Sequence, residues 1–250
     1  MQSAIKLSVL EIKLFLRDPI TLIFTFAFPF FVLFILAGVF GNELENEEDI
    51  RVWRGVGPTD YYVPAYVGLV IASIGLLALP LRLASYREGG VLRRYRASAM
   101  PLTSILGSQV VVAVLMSIIG AVSITLAAKV VYGTFWPKDV VGVGAAFILA
   151  LISFSGIGLL LGSLLPNARS AQSAGLILFF VMFMVSGSGP PREVLDSTMK
   201  SMSEVLPLTH VILVLQDPWL GLGWDVTASL IVASIGVIGT AGALLLFRWE

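Results

Sequence analysis

The sequence contains no cysteine and a single histidine, His210. That excludes a disulfide scaffold, a thiolate metal cluster and a Cys/His nucleophilic pair. Charge is also scarce. Asp, Glu, Lys and Arg make up 13% of the 250 residues, about half the share in soluble domains and too little to cover a water-exposed surface. None of the five lysines follows a glycine, so the glycine-rich loop that cradles nucleotide phosphates is missing. Formal net charge is zero, and no global field favours nucleic acid as a partner. Apolar residues are plentiful, at 57% with a mean hydropathy of +0.94, which excludes disorder and an ordinary soluble globule.

About 20 mostly apolar residues are needed for a helix to cross the hydrocarbon layer. Six runs meet that length: 20–40, 61–81, 102–128, 140–165, 170–187 and 226–247. Only Gln109 is strongly polar inside the third. None alternates in polarity as a barrel strand would. The expected fold is therefore an all-α polytopic membrane protein, a single six-span domain over residues 1–250. A seventh apolar stretch, 205–215, begins beside Pro207 and contains His210. It is too short to span and is expected to be an interfacial or re-entrant part of an external loop, with a structural role for His210. The first run is expected to be retained rather than cleaved, because a basic helical stretch precedes it and no small-residue cleavage pattern follows.

Six spans put both termini on one side, and the bias of Lys and Arg identifies that side. One face receives Lys6, Lys13, Arg17, Arg82, Arg87, Arg93, Arg94, Arg96, Arg169 and Arg248, against Glu11, Asp18, Glu88 and Glu250, a net +6. The other carries six basic and twelve acidic residues, among them Glu43, Glu45, Glu47, Glu48 and Asp49, a net −6. The positive face is expected to be cytoplasmic, in the inner or plasma membrane.

Residues 3–16 place Lys6, Lys13 and then Arg17 on one side and Ile5, Val9, Ile12 and Leu16 on the other, the pattern of an interfacial amphipathic helix. Arg17-Asp18-Pro19 ends it, since proline disfavours helical geometry in the residue before it and starts a helix well. Outside, 41–60 is acidic. In 188–225, the Gly187-Ser188-Gly189-Pro190-Pro191 break is followed by two short helical stretches expected to perch at the outer surface. No Asp, Glu, Lys, Arg or His lies near the centre of a span, which disfavours coupling to an ion gradient. Gly158 and Gly162, and Ser229, Ala233, Gly236 and Thr240, place small residues on helix faces where close packing is expected.

Residues 82–101, RLASYREGGVLRRYRASAMP, form the long inner loop. It offers a short helix at 91–97 after a flexible Gly89-Gly90 step, with Glu88 near the positive end of its dipole. Together with Arg17-Asp18-Pro19, "LPNARSAQSAG" at the start of the fifth run and "SGSGPPREVL…LPLTHVILVL" before the sixth, this loop resembles the permease subunits of type-2 ABC exporters. The similarity covers nearly the whole chain in the same element order. It is closest in style to drug and antibiotic efflux permeases of the daunorubicin-resistance type, although Arg87-Glu88-Gly89-Gly90-Val91-Leu92 departs modestly from their Arg-Glu-x-Gly-Thr-Leu.

The resemblance implies a transport subunit, not an enzyme, paired with a separately encoded ATP-binding subunit. It binds no cofactor itself, ATP and magnesium belonging to that partner. It implies a homodimer or a pairing with a homologous permease, lipid around it, and a pathway lined by spans 1, 2 and 5, with Phe30, Tyr66, Ser73, Phe179, Phe183 and Ser186 as its candidate residues. At the knob, Glu88, Arg93 and Arg94 are expected to make charged contacts with the ATPase, Leu92 to anchor the contact, and Gly89 and Gly90 to set its angle. The expected cargo is a hydrophobic or amphiphilic compound moved outward. Alternatives are a lipid-linked glycan or glycolipid exporter and, from another class, a six-span intramembrane enzyme or channel, which would need polar residues clustered inside the spans.

Overall fold

A computed structural model describes residues 2–44, 46–99 and 101–247, with side chains from residue 9 onward. Glu45, Arg248, Glu250 and the side chains of Ile5 and Lys6, all used in the sequence argument, lie outside the described residues. The described chain is helical without strands, and six of its helices are long and apolar enough to cross a membrane. They are span 1 Pro19–Phe40, span 2 Pro58–Glu88, span 3 Leu102–Tyr132, span 4 Val140–Leu164, span 5 Ala168–Val185 and span 6 Val226–Leu246. Spans 2 and 3 extend well past the uncharged runs at one end, because a helix continues into the interface wherever its backbone stays satisfied.

Short polar side chains start these helices. Asp18, Asp139, Asn167 and Asp225 each accept a hydrogen bond from a backbone N–H three residues on, at Thr21, Gly142, Ser170 and Ala228. These caps satisfy first-turn donors that would otherwise face the membrane interface unpaired. Span 3 ends at Gly133, whose φ of 69° is a left-handed geometry that glycine adopts without strain.

Two spans are locally widened. π-helical turns occupy Ile23–Ala27 in span 1 and Ile74–Ala78 in span 2. Each lies just ahead of a proline, Pro29 and Pro80, which has no N–H to donate backward and clashes with the preceding turn. Beside the bulges the two spans touch: Ser73 Oγ donates to the Val70 carbonyl at 2.8 Å and lies 3.2 Å from Thr25 Oγ1, whose hydroxyl can donate to it, fully buried.

Glycines let neighbours close on this region. A Cβ on Gly158 of span 4 would lie 2.2 Å from the Gly75 carbonyl oxygen, and one on Gly175 of span 5 would lie 2.2 Å from that of Leu76. Span 2 is thus gripped at its bulge from two sides by backbone-to-backbone approach. Gly162 packs on Leu83 and Pro80, while Gly156 meets Gly236 and Gly239 of span 6. The small-residue faces therefore serve packing within one subunit.

The segment between spans 5 and 6 corrects one expectation. Its second helix, Pro207–Leu220, does not perch at the surface: Leu208, Val211, Leu215 and Trp219 are buried, and it packs against spans 2, 4 and 6. At 14 residues it is about 21 Å long, too short to span. Two of its polar residues are paired inside, Gln216 Nε2 donating to the Tyr61 carbonyl and Asp217 accepting from Arg54 Nη2 at 2.6 Å, while the Thr209 hydroxyl is buried without a partner among the described residues. His210 Nε2 lies 2.8 Å from the Glu204 carbonyl, an acceptor, so the proton sits on Nε2 and the ring ties this helix to Ser197–Val205.

The N-terminal helix, Gln2–Phe15, packs against span 3 through Phe15. Val9 and Leu16 face outward as an interfacial helix requires, but Glu11 points inward and is 1% exposed. Glu11 Oε1 accepts a 2.5 Å bond from the Tyr86 hydroxyl of span 2.

Candidate functional site

At the end of the bundle that carries the basic loop 82–101, Arg87 and Glu88 fall on the join between spans 4 and 5. Arg87 Nη1 donates to the Leu165 carbonyl at 2.6 Å, and its Nη2 donates to the carbonyls of Gly162 and Ser163 at 2.9 and 3.2 Å. These acceptors belong to the negative, C-terminal end of span 4. One residue on, Glu88 Oε2 accepts from the Ala168 N–H at 3.0 Å, at the positive, N-terminal end of span 5. A cation on one helix C-terminus and an anion on the next N-terminus each complement the local dipole, so the pair clamps the short inner turn to the end of span 2.

The chain then turns at Gly89 and Gly90. Gly90 has φ 68°, where a side chain would be strained, and it starts the knob helix Val91–Ala97. Arg93, Arg94 and Arg96 are exposed. Leu92, expected to anchor a partner, is instead fully buried within this chain, because the knob is too short to hold its angle without an apolar contact of its own. Tyr95 packs edge-on to Tyr86 at 6.5 Å. Partial burial, and then the nearby Glu11 carboxylate, raise the Tyr95 phenol above its ordinary value, which keeps it neutral. Glu11, Tyr86 and Tyr95 therefore connect the surface helix, span 2 and the knob in series. Beside them, Glu11 Oε2, Arg82 Nη2 and Gln109 Nε2 are buried without a hydrogen-bond partner among the described residues, and all three side chains line one small cavity. Sequence reasoning missed Glu11; its spacing of four from Phe15 puts both on one helix face and was the available signal.

At the opposite end, spans 1, 2 and 5 border an open cavity of about 490 Å³, within the roughly 300–1,000 Å³ of small-molecule sites. Leu36 and Phe40 come from span 1, Tyr62 from span 2, Phe183 and Met184 from span 5, and Trp53 from the loop after the short helix Glu47–Val52. Gly189, Pro190 and Pro191 close one side, and no charged side chain lines it. Tyr62 pins that side, its hydroxyl donating to the Gly189 carbonyl at 2.8 Å, while the Tyr61 hydroxyl bonds Glu193 Oε2 at 3.1 Å.

Of the six expected pathway residues, Phe183 alone lines this cavity. Phe179 is fully buried just inside it, in edge-on contact with Phe24 and Phe28. Phe30 is half-buried and lies beside Phe34. Tyr66 is buried and stacked on Tyr62 at 5.5 Å. Ser186 is buried at the end of span 5, its Oγ without a partner among the described residues. Ser73 is a correction: its hydroxyl is used in the span 1–span 2 contact, where two adjoining bulges bring it to Thr25, and it does not face open space. Sequence reasoning missed Trp53, in a mostly acidic stretch, and the part that the backbone of Gly189 to Pro191 plays in walling the cavity, beyond its helix break and its place in the family motif.

A charge-poor bundle of six membrane helices, with an apolar cavity at one end and a rigid, basic helical knob at the other, defines a multi-pass membrane transport domain. The sequence matches the ABC-2 type transporter family over residues 5–217, and the chain belongs to that family. It is the transport permease of an ABC transporter, a domain without an ATPase site of its own, and membership implies a separate ATP-binding subunit. No curated protein matches the chain.

Proposed function

We propose that this permease exports a hydrophobic or amphiphilic, drug- or antibiotic-like compound, powered by ATP hydrolysed in a partner docked on Val91–Ala97. The supporting observation is the outer cavity. Its walls are apolar and aromatic, it is formed by three different spans and a pinned loop, and relative movement of those spans would change its shape. A lipid-linked glycan would need many polar groups to replace the hydration of its sugars, and the side chains of this lining offer only the Trp53 indole N–H and a Tyr62 hydroxyl already bonded to Gly189.

In this reading the subunit works as a homodimer or beside a homologous permease, in the inner or plasma membrane, with both termini cytoplasmic. Glu88, Arg93 and Arg94 form the charged face toward the ATPase, and Leu92 with Gly89 and Gly90 fixes the angle of that face. Two helix-dipole contacts and the tyrosine contact make the knob rigid, so a push at Val91–Ala97 is delivered to span 2 and through it to the cavity wall.

The test is reconstitution with the co-expressed ATPase in proteoliposomes. Amphiphilic compounds should stimulate ATP turnover, and Phe183→Ala should shift the half-maximal concentration while leaving unstimulated turnover intact. Robust ATPase activity of the chain alone, or stimulation by lipid-linked glycans and by no small amphiphile, would overturn the proposal. Topology is checked in the naturally cysteine-free chain: Asn46→Cys should react with a membrane-impermeant thiol reagent in intact cells.

A further inference from the structure

Spans 3 and 4, with the loop that joins them, border an open groove of about 500 Å³ that shares no lining residue with the cavity of spans 1, 2 and 5. Ile118, Val122 and Leu126 of span 3, Val140 and Gly144 of span 4, and Trp219 of Pro207–Leu220 line it. Hardly any polar surface faces it. From Ile118 the lining follows one face of span 3 at helical spacing through Val122, Thr125 and Leu126, and the next residue on that face is Lys129. Eleven residues of helix cover about 16 Å, close to the depth of one leaflet of a roughly 30 Å hydrocarbon core.

The cations of the outer face are not spread evenly. Arg54 is paired with Asp217, Arg192 with Glu204 and Arg51 with Glu48, and Lys200 donates to the Glu193 carbonyl. Lys129, Lys138 and Lys200 have no ion pair within 4 Å among the described residues; Lys200 sits on Ser197–Val205, whereas Lys138 directly follows Pro137 of the groove lining and Lys129 lies one turn beyond Thr125. Lys129 Nζ lies 5.9 Å from the centre of the Trp136 ring, which also lines the groove, and Lys138 Nζ lies 5.3 Å from that of Phe135. Such contacts hold an ammonium in place without cancelling its charge. The acids nearby are engaged: Asp139 accepts from the Gly142 N–H, and Asp60, which attracts both lysines at longer range, accepts from Asn42 and from the Phe135 N–H.

We propose that this groove is a binding site for an anionic glycerophospholipid of the outer leaflet. One acyl chain lies along Ile118 to Leu126 against Gly144, and the headgroup phosphate sits between Lys129 and Lys138 beside Trp136. On an otherwise acidic outer face, two unpaired cations at the top of a one-leaflet apolar groove match the charge and length of that ligand. The site is separate from the cavity of spans 1, 2 and 5 and does not depend on what that cavity carries.

The experiment uses the full chain in nanodiscs containing phosphatidylglycerol or phosphatidylcholine with brominated acyl chains, reading tryptophan quenching. Native mass spectrometry of the detergent-extracted protein reports which lipids stay bound. Brominated phosphatidylglycerol should quench more than brominated phosphatidylcholine, and Trp136→Phe should remove much of the difference. The double variant Lys129→Ala/Lys138→Ala should lower the preference on the order of tenfold, whereas Lys129→Arg/Lys138→Arg should keep it. Gly144→Leu, at a position with open space around its Cβ, should reduce retention of both lipids with the lysines intact. Equal quenching and retention of the two lipids in wild type would mean ordinary annular lipid and would overturn the proposal. Efficient disulfide formation between copies carrying Val122→Cys would also overturn it, since a second copy would then cover the groove.

Discussion

Spans 2 and 3 are both 31 residues long and both strongly apolar, yet 89% of the apolar stretch of span 2 is buried and only 33% of that of span 3. Hydropathy alone therefore says that each helix enters the membrane and nothing about which one the bundle is built around. In lipid, an apolar side chain gains little by moving from acyl chains to protein, so the choice depends on shape and hydrogen bonding. Span 2 has both devices: tyrosines that donate outward to Gly189 and Glu193, a π-helical turn gripped by two foreign glycines, and Arg87 and Glu88 at its inner end. Span 3 presents Val111, Ile119, Val122 and Val130 to the outside.

The strongest way to break this comparison is to add bulk. Gly158→Leu or Gly175→Leu forces a side chain into the backbone of span 2, and the expected loss is about 3 kcal/mol or more, measured by unfolding in mixed micelles. Gly107→Leu in span 3, where a Cβ meets nothing within 4 Å, should be nearly neutral. Comparable losses at these sites would erase the distinction between axis and periphery.

Removing charge comes next. Arg87→Ala leaves the carbonyls of Gly162, Ser163 and Leu165 without their guanidinium donor, and a loss of about 2–3 kcal/mol is expected. Arg87→Lys should recover only part of it, because a single ammonium does not reproduce the forked donor geometry. Lys129→Ala on span 3 should stay within about 0.5 kcal/mol by the same unfolding measurement.

A smaller effect is expected from Tyr62→Phe, which removes one neutral bond to Gly189 and costs about 1 kcal/mol. Hydrogen–deuterium exchange should speed up in residues 188–194 and stay unchanged in span 3. Uniform acceleration would mean that Tyr62 supports the whole bundle rather than one wall of the cavity.

Least visible in stability are Arg93→Ala and Arg94→Ala. Both side chains are exposed, so unfolding should hardly move, while each should weaken coupling to the ATPase by about 0.2–1 kcal/mol. Wild-type transport by the double variant would remove these arginines from the docking face. Leu92→Ala should instead lower the stability of the knob itself, as its full burial requires.

How much of this was legible varies along the chain. The six helices, the inner knob with its Gly89-Gly90 turn and the shortness of the 205–215 stretch follow from run length, charge and turn residues, which act locally. The depth of Pro207–Leu220 did not, because an apolar helix of that length satisfies its backbone equally well on the surface or within a bundle. Of the proposed pathway residues, aromatic character pointed to the right spans but not to the right faces: Phe183 lines the cavity, whereas Ser73 and Tyr66 are spent on packing.

The sequence by itself determined a charge-poor, six-helix membrane protein with a basic loop between its second and third helices, since insertion depends on apolar length and the distribution of a few charges. Only the tertiary structure decided that span 2 is the buried axis, that Arg87 and Glu88 fasten spans 4 and 5, and that Glu11 faces inward. Each of these depends on groups far apart in the chain meeting within a few ångströms. Helix-to-helix approach is set by where glycines, bulges and helix ends coincide in space, and no local pattern carries that information.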